Sequence, residues 1–243
     1  MTRPTFDVTF VRHATLLVDA GETTFLVDPM LGEQGSAPPI ENTPNQRPNP
    51  LVPLPDVPVE YDAVVVTHRH LDHFDDAAKE ALPDDVPLFC NPVEADAFTE
   101  DGFTDVRPVE DGVEYEGVTL TRTPARHGHG DLAEQMGPVC GFVFEAEGTL
   151  YLAGDTVWYD AVPETLDRFA PDVVVLNAGA ARFTEGEEIT MAAADVRAVR
   201  DATDGAVVAV HLEAINHCLL TREALRAATE DVLVPEDGES MQF

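Results

Sequence analysis

Lysine is almost missing from this chain: Lys79 is its only one, and 14 basic residues stand against 46 acidic ones, for a formal net charge of −32. With no basic stripe to neutralise phosphates, binding to a nucleic-acid backbone is excluded. In dilute buffer such self-repulsion works against the compact state. At molar salt the Debye length shrinks to ~3 Å and the penalty largely disappears. The acids run along the whole sequence and do not gather in a tail, so a solvated acidic surface in a salt-rich cytoplasm is expected over an acidic patch for a basic partner. Cysteine is scarce too. Cys90, Cys140 and Cys218 include no C-x-x-C pair, which excludes a disulfide framework and a thiolate zinc site and leaves small buried hydrophobes. No apolar run approaches the ~18–20 residues that cross a bilayer. The first residues lack an apolar stretch and do not read as a signal peptide, so no membrane partner and a cytoplasmic location are expected.

What is present reads as one layered α/β domain over 1–243. Strand-like runs at 7–11, 15–19 and 23–27 come first, and two of them can pair across the Gly21 turn. Residues 31–58 then carry Pro38, Pro39, Pro44, Pro48, Pro50, Pro53, Pro55 and Pro58. A loop that long inside a compact domain is usually functional, and it is expected to border the active site. Buried strands are expected at 63–67, 88–90, 118–123, 139–145, 149–153, 173–176 and 206–210. Helices are expected at 74–82, 92–100, 164–170, 191–202 and 221–228, the last capped by Thr221. No internal repeat shows by period.

His and Asp recur at the C-terminal ends of these buried strands, where open α/β folds place their sites. His68, His70, Asp72 and His73 follow one strand, and His127, Asp155 and His211 follow three others. Packing alone does not ask for these residue types at each strand end. Imidazole and carboxylate together suit zinc, manganese or iron. In an extended segment alternate side chains project to one side, so His68 and His70 reach one ion, while Asp72 and His73, at the turn into a helix, reach a second. Two close ions can share a hydroxide.

The His68-x-His70-x-Asp72-His73 pattern after a hydrophobic strand resembles the signature of the metallo-β-lactamase superfamily. Leu152-Ala153-Gly154-Asp155-Thr156 is similar to its bridging-aspartate motif, His127 and His211 fall in the order that family expects, and Asp28-Pro29 also matches. The resemblance covers essentially the whole chain. Arg12-His13-Ala14 with Asp28-Pro29-Met30-Leu31 further resembles the branch that includes L-ascorbate-6-phosphate lactonase. The resemblance implies a four-layer αββα sandwich with a dinuclear site at one edge. One ion would take His68, His70 and His127, the other Asp72, His73 and His211, with Asp155 bridging. The ions would be divalent, zinc first and manganese or iron as alternatives. It implies hydroxide attack on a carbonyl or phosphoryl centre of a small ester, lactone or phosphoester, with Asp72 orienting the nucleophile or receiving a proton.

Two other functions compete. Iron-dependent oxygen or sulfur chemistry occurs on the same scaffold, but some diiron relatives carry Glu where His70 stands, which favours hydrolysis. A non-catalytic metal-binding module is weighed against by the complete ligand set. Some positions stay open. His129 rivals His127 as third ligand, because Gly128 and Gly130 leave the loop flexible, and His127 is preferred. His217 either touches the site or substrate or is a buried structural imidazole. His13 either hydrogen-bonds near the ions or satisfies a strand end, and Asp28 is placed in the same outer ring. Arg12, Arg47, Arg69, Arg126 and Arg182 are candidates to bind an anionic substrate group. Oligomeric state is not readable.

Overall fold

In the computed structural model, residues 5–243 are described. The chain builds two seven-stranded sheets by much the same plan. In the first, β1 (Phe6–Arg12), β2 (Thr15–Ala20) and β3 (Thr23–Val27) form an antiparallel meander. The β2–β3 hairpin turns at Gly21, whose φ of 67° is one that side chains rarely adopt. Then β4 (Ala63–Val66), β5 (Leu88–Cys90) and β6 (Val106–Pro108) add on in parallel. The helices α1 (Asp76–Ala81) and α2 (Ala95–Glu100) lie between these strands in sequence.

The second sheet repeats the plan. The strands β7 (Val113–Tyr115), β8 (Val118–Pro124), β9 (Cys140–Glu145) and β10 (Thr149–Leu152) are antiparallel, with α3 (Gly130–Gln135) between β8 and β9. They are followed by parallel β11 (Val173–Asn177), β12 (Ala206–Val210) and β13 (Val232–Leu233). Between them run α4 (Ala161–Phe169), α5 (Ala193–Ala202) and α6 (Arg222–Ala228). A last strand, β14 (Ser240–Gln242), returns to pair with β1. The internal echo is one of topology and not of sequence period.

Strand alternation explains the layering. Ala63 and Val65 face the core between the sheets, whereas Val64 and Val66 pack outward with Phe74 and Ala78 beside α1. In the second sheet Val173 and Val175 face inward, and Val174 and Leu176 pack outward against Val162, Leu166 and Val196. Two sheets face to face, each covered by helices, make the expected αββα sandwich.

Expected element ends move by a few residues. Phe74 is not helical: Asp75 caps α1 by accepting from the Ala78 N–H, and Phe74 packs beneath it. A 3₁₀ turn precedes α2. The expected 164–170 helix starts earlier, at Ala161. Thr221 caps α6 as expected. The short strands β6, β7, β13 and β14 and the helix α3 were not foreseen, being too brief or too polar to show a period.

Candidate metal centre

The site lies where the strands of both sheets end. His68, His70, Asp72 and His73 come from the turn after β4, His127 from beyond β8, Asp155 from beyond β10 and His211 from the end of β12. Several of these turns are strained: His13, Asp28 and His211 have φ of 60°, 43° and 66°, a region non-glycine residues rarely occupy. Gly154 sits at φ 66° with the Cys140 carbonyl oxygen where a Cβ would be, so only glycine delivers Asp155 this way.

The imidazoles of His68, His70, His73 and His127 are each tied back by one nitrogen, which leaves the other for the site. Asp28 accepts from the Thr67 N–H at 2.7 Å, from the Thr67 hydroxyl at 2.7 Å and from His73 Nδ1 at 2.8 Å. With its proton given to Asp28, the Thr67 hydroxyl accepts from His68 Nδ1 at 3.1 Å. His127 Nδ1 donates to the Ile189 carbonyl at 2.7 Å, and His70 Nε2 to the Met136 carbonyl at 2.9 Å. The remaining nitrogens converge. His68 Nε2 and His70 Nδ1 are 2.9 Å apart, and His73 Nε2 and His211 Nε2 are 3.3 Å apart.

Asp155 sits among them, 1 % exposed. Its Oδ2 is 3.3 Å from His127 Nε2 and 3.4 Å from His73 Nε2, while Oδ1 is 3.4 Å from His211 Nε2 and accepts from Asn177 Nδ2 at 2.7 Å. Asp72 Oδ2 lies 3.7 Å from His211 Nε2 and 3.1 Å from His13 Nε2. The His13 ring stacks on that of His211, centroids 3.6 Å apart.

The donors therefore fall into three overlapping groups able to hold a cation: His68, His70 and His127; His68, His73 and Asp155; and His13, Asp72, His73 and His211. The electrostatics fit a metal. Burial pushes the imidazoles of His13, His68, His70 and His211 below their ordinary values, toward the neutral form that offers a lone pair. Burial pushes Asp72 and Asp155 up, but His13 and His73 outweigh it for the first, and His211, His73 and His127 for the second, so both stay ionised. Burial lowers His73 too, yet Asp155 and Asp28 on either side hold it well above the usual range.

His129 does not join the cluster. Gly128, at φ 101°, reverses the chain, so that His127 is buried while His129 is exposed at the N-terminus of α3. His217 is buried beside the cluster but belongs to none of the three groups. The arginines considered for an anionic substrate are engaged elsewhere or lie on the surface. Arg12 donates to the carbonyls of Met30, Gly32 and Val52, Arg69 pairs with Asp101, Arg126 lies over the Tyr159 ring and Arg182 faces Glu188. Arg47 is exposed. Sequence reasoning missed the carbonyls of Ile189 and Met136 and the roles of Thr67 and Asn177. Asn177, at the end of a buried strand, carried the one signal that pointed to it.

Residues 23–212 match the family described as "Beta-lactamase superfamily domain". The chain belongs to the metallo-β-lactamase superfamily. UPF0173 protein YddR of Bacillus subtilis is 39% identical over 253 aligned positions, covering 98% of this chain and 100% of that protein. Among solved structures, an isothiocyanate hydrolase from Delia radicum gut bacteria superposes with a TM-score of 0.92 at 35% identity, covering 98% of this chain and 99% of that one. A possible metal-dependent hydrolase from Veillonella parvula gives 0.92 at 34% identity over the same shares. No helix among the described residues is long and apolar enough to cross a membrane.

Proposed function

We propose that the chain is a dinuclear metal-dependent hydrolase acting on a small electrophilic substrate. The observation that carries this is the convergence of untied imidazole nitrogens and ionised carboxylates in one buried space at the ends of both sheets. His68 Nε2, His70 Nδ1 and His127 Nε2 would hold one divalent ion, and Asp72, His73 and His211 the other, with Asp155 between them, its Oδ2 beside His127 and His73 and its Oδ1 beside His211. His13, hydrogen-bonded to Asp72 at 3.1 Å, sits behind that set and orients the carboxylate. Bound ions supply Lewis acidity and acidify water so that a nucleophile is available near neutral pH.

The rest is the protein's own chemistry. Asp72, ionised and at the wall of the cavity, orients an attacking water and takes up its proton. Asn177 fixes Asp155 through Oδ1, and Asp28 fixes the tautomer of His73 and, through Thr67, that of His68. Similarity to the Delia radicum gut-bacterial enzyme makes isothiocyanates the first probes, beside neutral esters, lactones and phosphoesters.

Elemental analysis of protein purified without chelator, for wild type and Asp155→Ala, tests the reading. About two zinc or manganese ions per chain, lost on substitution together with hydrolysis of the probes, are expected. A single iron with oxygen uptake would redirect the assignment, and a folded chain that takes up no added metal would sink it.

A further inference from the structure

One cavity, of about 740 Å³, opens onto the cluster, with His70, Asp72 and His127 in its wall. That volume suits a small molecule. Met30, Ile40, Met136, Phe183, Ile189 and Ile215 supply much of the rest of its lining. No arginine or lysine is among the described residues that line it, and its charged groups outside the cluster are the carboxylates of Glu33, Asp75, Asp76 and Glu80. Away from the cluster, a phosphate or carboxylate carried on the body of a substrate would meet like charge, with no cationic side chain in the wall to receive it.

One polar group in the wall is uncommitted. His217 is 6 % exposed, and neither of its ring nitrogens has a hydrogen-bond partner among the described residues. Buried polar atoms are nearly always paired, so a fixed ring with both nitrogens free needs a reason. It is fixed through its neighbour. Asn216 takes the Ile40 N–H and the Asn49 amide on Oδ1, and its Nδ2 donates to Ile40, Thr43 and Asn45. The 216–217 backbone is thereby pinned to the proline-rich loop, and the imidazole is left facing the cavity.

We infer that the cavity takes a neutral electrophile by its apolar body, and that His217 donates a hydrogen bond to the heteroatom of the reacting group. The inference rests on the hydrolase reading above and narrows its substrate. His217 determines specificity: it touches substrate and holds no metal.

The test uses the metal-loaded enzyme with benzyl isothiocyanate, its ring-carboxylated analogue and p-nitrophenyl phosphate, for wild type, His217→Phe and His217→Gln. Wild type should prefer the neutral probe by about 100-fold in kcat/KM. His217→Phe should lose about 100-fold on that probe with its metal content unchanged, and His217→Gln, which keeps a donor, should recover part of the loss. The ¹⁵N resonances of the His217 ring in wild type should shift when the neutral probe is added. Faster turnover of either anionic probe would overturn the inference while leaving the hydrolase reading intact. So would a His217→Phe enzyme with full activity, or one that has lost its metal. Hydrolysis of no probe by enzyme holding both ions would strike the hydrolase reading itself, and this inference with it.

Discussion

The two sheets follow the same plan but furnish the site in opposite ways. In the first, a single turn after β4 carries His68, His70, Asp72 and His73 within six residues. In the second, β8, β10, β11 and β12 each lead to one group: His127, Asp155, Asn177 and His211. The first arm is a local object, held by Asp28 and Thr67 just beneath it. The second exists only while its strands keep their register, with Leu152 beside Val175 and Val175 beside Val208. Damage far from the metal should therefore reach the site through the second sheet far more readily than through the first.

The comparison is broken most severely at Gly154. Gly154→Val puts a β-branched side chain at positive φ against the Cys140 carbonyl, and should cost about 3 kcal/mol or more. That corresponds to roughly 6 °C or more in Tm. Calorimetry and metal analysis should show stability, metal and activity falling together. A sharper test pairs two buried leucines, Leu176 before Asn177 and Leu88 in β5. Each change to alanine should cost about 2–5 kcal/mol in denaturant unfolding. Chelator competition should find weakened metal retention for Leu176→Ala alone, and equal weakening would dissolve the distinction between the arms.

Beneath the ligands, Asp28→Ala removes a carboxylate that accepts three hydrogen bonds, and should lower metal affinity about 10–100-fold. Asn177→Ala removes one hydrogen bond, and its loss should sit near the lower end of that range. A pH dependence tests the first arm without touching a ligand. Glu94 accepts from the Arg69 N–H beside the histidine turn, and burial pushes its carboxyl from 4.5 up to about 7. Below pH 4.5 folded and unfolded chains both hold this proton; between 4.5 and about 7 only the folded chain does. Stability therefore falls as pH rises through that window, and the loss is complete above it. Glu94→Gln should flatten this part of the Tm–pH curve, and an unchanged curve would refute the assignment.

The same contrast explains what could be read from the sequence. The first arm was legible because its spacing is its geometry: a buried strand runs straight into alternating donors. The strand ends of the second sheet were legible one by one, but not how they meet. That His127 turns inward and His129 outward depends on one glycine's φ, which spacing does not encode. His13 was marked by its motif, with two roles left open, and the tight turn joining β1 to β2 brings it against Asp72 and His211. The carbonyls that orient His70 and His127 belong to Met136 and Ile189, residues whose side chains suggest only packing. The edge strands were missed because two or three residues show no period. The fold engages most of the candidate arginines elsewhere, Arg12 within its own interior.

That buried Arg12 has a further consequence. It grips Met30, Gly32 and Val52, while Asn216 grips Ile40, Thr43, Asn45 and Asn49, so the proline-rich segment is fastened at several points. Between those fastenings Glu33, Ser36, Ala37 and Pro38 line the cavity. One end of the segment is tied to the histidine turn, because the Leu31 and Gly32 N–H groups donate to Asp75, two residues past His73, but substitutions at the unfastened positions break none of these bonds. The unfastened positions form an exchangeable cassette: a laboratory library confined to them should keep a high fraction of folded, metal-loaded members.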